Sequence, residues 1–163
     1  MTTTASAPTQ TAAGIDPRGP QFTAAITAVV LAVVLFLPSP WAAVLTGAQA
    51  VLFAIGASRG VQRTPHAWLF RTVVRPRLSP PEELEDPAPP RFAQVVGLAF
   101  ALVALIGFTT GVTLLGQVAI GFALVAALLN AVFRFCLGCE LYLLIRRITS
   151  TSGPVAAGRS ATN

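Results

Sequence analysis

The chain has 163 residues, of which 54% are hydrophobic and only 10% charged, against about a quarter charged in an ordinary soluble domain. A water-soluble globule is thereby excluded. Eleven basic residues, all arginine, outnumber six acids for a net charge of +5, a balance that points to nucleic acid or to anionic lipid. Their distribution decides: residues 19–58 and 92–133 carry no charge, and every arginine lies at the edges of these blocks, where lipid headgroups account for them. Nucleic-acid binding is rejected on that ground.

In chain order, residues 1–18 form a threonine- and alanine-rich leader. It lacks the basic start of a signal peptide, and its composition predicts disorder, as does that of the tail at 150–163. The first charge-free block, 40 residues long, is twice what one helix needs to cross about 30 Å of hydrocarbon, so it reads as a hairpin. Its break is Pro38-Ser39-Pro40 ahead of Trp41, because proline removes a donor and crowds the preceding turn. The second block breaks more weakly at Gly107, Thr109, Thr110 and Gly111. Four spans follow, at 22–37, 41–57, 92–108 and 112–133.

Each span carries small residues at every fourth position: Ala24, Ala28 and Ala32; Ala50, Ala54 and Ser58; Ala93, Gly97 and Ala101; Ala119, Ala123, Ala127 and Ala131. Such rows let helices approach closely in lipid, which predicts a four-helix bundle, with a homo-oligomer seam as the alternative. Gln49, Gln94, Gln117 and Asn130 are the polar candidates for the interior. No ionisable residue lies inside a span, which argues against an ion-coupled transporter.

The loop at 59–91 has 33 residues with seven prolines, too few and too broken for a core of its own. Its residues 66–74 form a short amphipathic stretch, with Trp68 among apolar residues set against Arg71 and Arg75, suited to a lipid surface. The following acidic strap, 79–90, contains Glu82, Glu83, Glu85 and Asp86. The loop reads either as a topology-fixing linker or as a docking site for a partner or for an end of the same chain. His66 has no companion ligands, so no metal site is assigned to it.

The only cysteines, Cys136 and Cys139, form a Cys-x-x-Cys motif just beyond the fourth span. That spacing lets two sulfurs meet in one helical turn, as a disulfide or as half of a soft-metal site whose other ligands a partner would supply. Two buried packing residues are the plainer alternative. The arginine excess puts both termini, the loop and the pair on the cytoplasmic side, where structural disulfides are uncommon; a working thiol pair is therefore favoured over a staple. Residues 136–145 are too few to cross a bilayer and either extend the fourth span or begin an interfacial or re-entrant helix. A new helix starting near Gly138 would favour thiolate through its amino terminus and Arg134, whereas a continued span would leave the thiols at a helix end of opposite polarity beside Glu140.

The block Phe135-Cys136-Leu137-Gly138-Cys139-Glu140-Leu141-Tyr142, with Asp16-Pro17-Arg18-Gly19-Pro20 and Asp86-Pro87-Ala88-Pro89-Pro90-Arg91-Phe92-Ala93-Gln94 followed by Gly97, resembles the uncharacterised actinobacterial membrane proteins of domain-of-unknown-function family 4395. The likeness covers nearly all the chain between its tails. It implies an integral membrane protein of the cell envelope, encoded near thioredoxin-like and sulfurtransferase proteins, and supplies no activity. It also brings the cysteine pair forward, with Glu140 and Arg91 beside it in the family pattern.

The expectation is an all-α integral membrane protein of the plasma membrane: hairpin 19–58, loop 59–91, hairpin 92–133 and the Cys-x-x-Cys segment 134–149. Cys136 and Cys139 would perform thiol–disulfide exchange or sulfur handling, tuned by Arg134 and Glu140 and served by a thioredoxin-like or sulfurtransferase partner. Trp68, Arg71, Arg75 and Arg91 would serve interaction, and no cofactor is assigned. Two rival readings are a non-enzymatic scaffold or accessory subunit, and a small-solute or sulfur-compound channel that would need Gln49, Gln117 and Asn130 to face one another.

Overall fold

The computed structural model describes residues 14–81 and 83–150; the expected disorder of leader and tail falls almost wholly outside them. The described residues are helical apart from loops and one isolated β-bridge, between Ile15 and Glu85. Four helices are long and apolar enough to cross a membrane: α1 (Arg18–Phe36), α2 (Ser39–Arg59), α4 (Ala88–Thr109) and α5 (Thr113–Phe133). The chain is thus built as a multi-pass membrane protein. Between α2 and α4 lies the short α3 (Pro65–Leu69), which runs on without a break through a π-helical turn, Phe70–Val74, and a 3-10 turn, Arg75–Arg77. The last helix is α6 (Leu137–Ser150).

Prolines and glycines set the helix boundaries. At the first break Pro38 is extended, with ψ 148°, and Pro40 sits in the opening turn of α2, where its missing N–H costs nothing. At the second, only Gly111 adopts positive φ, +82°. Gly107, expected to help break the helix, lies inside α4 and serves a crossing instead: a Cβ there would stand 2.5 Å from the backbone nitrogen of Gly116 on α5. The threonines cap rather than interrupt, Thr109 and Thr110 returning their hydroxyls to the carbonyls of Leu105 and Ile106.

Helices adjacent in sequence are not the closest partners at the start of the chain. The most extensive contacts of α1 are with α5 and those of α2 are with α4, while α4 also packs along α5; α1 and α2 touch less, although two residues join them. The α2–α4 seam is reciprocal. Gly97 of α4 leaves room for the ring of Phe53, and Gly56 of α2 leaves room for the side chain of Gln94, so each backbone receives a knob from the other helix. Of the thirteen expected small residues, Ala24, Ala28, Ala50, Ala101, Ala119 and Ala123 are buried and six more half-buried, but Ser58 is exposed and bonds back to the Ala54 carbonyl. A core of Leu31, Val34, Ala104, Phe108 and Ile120 fills one half of the bundle, and Ala50, Phe53 and Ala101 form a smaller cluster toward the other. Valines and leucines such as Val29, Val44, Leu114 and Val125 point outward, the surface a lipid solvent wants.

Every described arginine flanks the same ends of the spanning helices: the start of α1, the end of α2, the start of α4 and the end of α5, together with the segments that join or follow them.

Candidate functional site

Two residues after α5 the chain reverses and presents the cysteines. Phe133 ends the helix, Arg134 takes the left-handed conformation with φ 58°, and the Phe135 amide closes the turn on the Leu129 carbonyl at 3.2 Å. Arginine has no special tolerance for that region, so the packing on both sides imposes it. Cys136 then occupies the N-cap position of α6. Its carbonyl accepts from the Glu140 amide at 3.0 Å, and its sulfur accepts from the Cys139 amide at 3.3 Å. Of the two sequence alternatives, the structure has the new helix, with the pair at its amino terminus. Cys136 and Cys139 are joined by a disulfide, their Cα atoms 5.2 Å apart, and both residues are half-buried.

The residues between the cysteines are fitted to the neighbouring helix. Gly138 lies against α4 so closely that a Cβ would come within 2.7 Å of the Cα and Cβ of Ala93. One turn on, Tyr142 packs its ring on Phe92 of α4 at 5.7 Å between centroids, and within α6 the Arg146 guanidinium stands 5.9 Å over the Tyr142 ring. Sequence inspection identified Cys136 and Cys139 but missed Gly138, Ala93 and Phe92; the glycine inside the motif was the available signal.

The pair forms part of the wall of a cleft of roughly 1160 Å³ between α1, α4, α5 and α6. Around its mouth stand Arg18, Arg134, Glu140 and the acidic strap residues Glu83, Glu85 and Asp86, while Phe53, Gly97, Phe100 and Ala123 line its deeper part and the exposed Phe122 also borders it. Gln94 and Asn130 also line it, and their side chains make no hydrogen bond among the described residues. Gln21, in contrast, donates to the Ala131 carbonyl at 2.9 Å. The strap is held by the amino-terminal segment: Ile15 and Glu85 exchange backbone hydrogen bonds of 2.9 Å in both directions, and Arg18 donates to the Ser79 carbonyl at 3.0 Å. An end of the same chain therefore docks on the strap. Glu82 lies outside the described residues.

The remaining candidates are placed elsewhere. Arg134 and Glu140 share the cleft with the cysteines. Arg91 does not meet the pair. It reaches across to the carboxyl end of α2, donating through Nε to the Ala57 carbonyl at 2.6 Å and through Nη2 to that of Ser58 at 2.8 Å, a cation on the negative end of a helix. Trp68, Arg71 and Arg75 are exposed on the segment that begins with α3, while Phe70 beneath them is buried and packs on Phe22 at 5.7 Å. Thr64 caps α3, accepting from the Ala67 amide. Desolvation holds the half-buried His66 below the ordinary imidazole value. Among the described residues no group of three or more His, Cys, Asp or Glu side chains could hold a metal ion.

The polar residues of the channel reading are dispersed. Gln49 is buried against the Thr27 hydroxyl at 3.5 Å, Asn130 faces the cleft, and Gln117 is exposed on α5. They do not line one path.

No curated protein and no solved structure matches the chain. The sequence model of one family matches residues 15–147, from the strap-bound end of the chain through the cysteine helix. The chain belongs to that family, described as a domain of unknown function, DUF4395.

Proposed function

We propose that this is a plasma-membrane protein with both termini in the cytoplasm, two transmembrane hairpins and an interfacial α6, and that its Cys136/Cys139 pair cycles between dithiol and disulfide in exchange with a thioredoxin-like or sulfurtransferase partner. The observation that carries the reading is the position of the pair: a two-residue-spaced disulfide at a helix amino terminus, half-buried on the wall of a large cleft. A helix amino terminus favours the thiolate, which is the nucleophile in exchange. Cys136 receives the Cys139 amide and is assigned that role.

In the reduced protein the Cys136 thiolate attacks a partner disulfide, forming a mixed disulfide and releasing one partner sulfur as thiolate. Cys139 then attacks the Cys136 sulfur, closing the intramolecular bond and releasing the second partner thiolate. Two electrons pass to the partner. Glu140, in the first turn of α6, is assigned to receive the Cys139 proton, and Arg134 supports the Cys136 thiolate by its charge.

Blocking the second step tests this directly. With Cys139→Ser in cell membranes, Cys136 should accumulate a mixed disulfide that reductant removes and that Cys136→Ser abolishes. Absence of any trapped adduct, with both single variants fully functional in cells, would refute the reading. The scaffold alternative draws on the exposed arginine-bearing segment around Trp68, Arg71 and Arg75, and predicts instead a stoichiometric complex lost on altering that segment.

A further inference from the structure

We infer that the cleft beside Cys136 and Cys139 is a binding site for a lipid-soluble quinone, which takes the electrons when the pair closes. The inference rests on the thiol–disulfide reading above, with the exchange running in its reverse direction: the partner's dithiol reduces the Cys136–Cys139 disulfide, and the quinone is the acceptor that reoxidises the pair.

Three features of the cleft point to that chemistry. Its volume, roughly 1160 Å³, is slightly above the usual range of small-molecule sites, about 300–1,000 Å³, ample for a ring with a tail. Its lining changes along its length, from Arg18, Arg134 and Glu140 at the mouth to Phe53, Gly97, Phe100 and Ala123 farther along the spanning helices. That gradient fits an amphiphile with a polar head and an apolar tail, and the disulfide lies on the wall at the polar end. Gln94 of α4, which packs beside Gly56 of α2, and Asn130 of α5 both line the cleft with amides that make no hydrogen bond among the described residues. Amide donors on two helices suit a ring that carries a carbonyl oxygen on each of two sides, and both side chains are half-buried, within reach of a ligand in the cleft.

The reaction balances without a further reagent. Two thiols and one quinone give one disulfide and one quinol: both S–H bonds break, the S–S bond forms, and two electrons and two protons reach the two ring oxygens. The quinone is reduced and the cysteine pair oxidised. Quinones dissolve in the bilayer core, so the acceptor arrives through lipid and needs no aqueous channel.

The test uses the full-length protein, reduced and reconstituted in lipid nanodiscs, with decyl-ubiquinone, whose fully substituted ring resists thiol addition. Quinol formation and thiol loss are followed together, with the Cys136→Ser/Cys139→Ser double variant as blank. One quinol should form per cysteine pair. Ala127→Trp, which fills the cleft from α5, should slow the reaction about tenfold or more, whereas Val125→Trp on the exposed side of the same helix should not, since misplacing reactants by an ångström already costs rate heavily. A second readout keeps the two ideas separate: oxidation of the same reduced protein by glutathione disulfide. If glutathione disulfide oxidises the pair but decyl-ubiquinone does not, or if Ala127→Trp slows both equally, the quinone site is refuted and the thiol reading stands. If neither oxidant acts, both fall.

Discussion

Gly138 carries more of the site than either cysteine reveals in isolation. With Ala93 2.7 Å from where its Cβ would be, any side chain must push the start of α6 off α4, and with it the turn that presents both sulfurs. Gly138→Ala should therefore leave the four long helices intact yet slow exchange at the pair by about tenfold or more, measured as thiol oxidation by glutathione disulfide; an unchanged rate would show that the contact is yielding. Arg134 permits a cleaner separation of charge from shape. Asparagine tolerates the left-handed conformation, so Arg134→Asn keeps the φ 58° turn and removes the guanidinium. If the charge supports the thiolate, alkylation of Cys136 by iodoacetamide at neutral pH should slow several-fold in this variant, following the general sensitivity of cysteine to nearby cations. At this scale the cysteines were plain from spacing alone, whereas the role of Gly138 was not, because nothing in a sequence says which helix a glycine faces. Arg91 illustrates the same limit: its sequence neighbourhood linked it to the pair, and its side chain instead caps α2.

Among the elements, the spans were the most legible part. The expected segments 22–37, 41–57, 92–108 and 112–133 lie within or at the edges of α1, α2, α4 and α5, since a charge-free stretch in lipid can satisfy its backbone only as helix. Partner choice was not legible, because small residues at every fourth position occur on all four helices and do not encode which row meets which. The α2–α4 seam is the place to test it. Gly97→Leu drives a side chain into the Phe53 ring, 2.9 Å from the glycine's Cβ position, and should destabilise the bundle by about 1–3 kcal/mol, seen as earlier unfolding in a detergent denaturation series. The amphipathic stretch expected at 66–74 proved to be part of a continuous helical segment, with Phe70 as its buried anchor. If it lies on the membrane, Trp68 in a Trp41→Phe background should be quenched by lipids brominated near the headgroup, and replacing Arg71 and Arg75 with glutamine should weaken that quenching on anionic bilayers, where each arginine is worth about 1 kcal/mol. Quenching equal to that of a water-exposed tryptophan would remove the segment from the interface.

Over the whole molecule, the clustering of arginines at one end of four alternating helices gives a direction to the fold. In the proposed orientation that end is cytoplasmic; the cleft opens there, the amino-terminal segment ties down the acidic strap beside it, and the disulfide stands at the junction of polar mouth and apolar interior. Composition and charge placement made the membrane class and the gathering of the arginines at one end of the spans readable in the sequence. The cleft was not readable, because it is made by residues from α1, α4, α5 and α6 that lie up to more than a hundred positions apart. Whether the pair works as a redox couple is decided most directly by an equilibrium titration in intact membranes. Samples poised across a range of glutathione redox buffers are quenched in acid and alkylated with a mass-adding maleimide. The proposal predicts a reversible two-electron transition in which Cys136 and Cys139 change together, the same from the oxidised and the reduced side; a pair that stays in one state throughout, or that reacts only irreversibly, would contradict it.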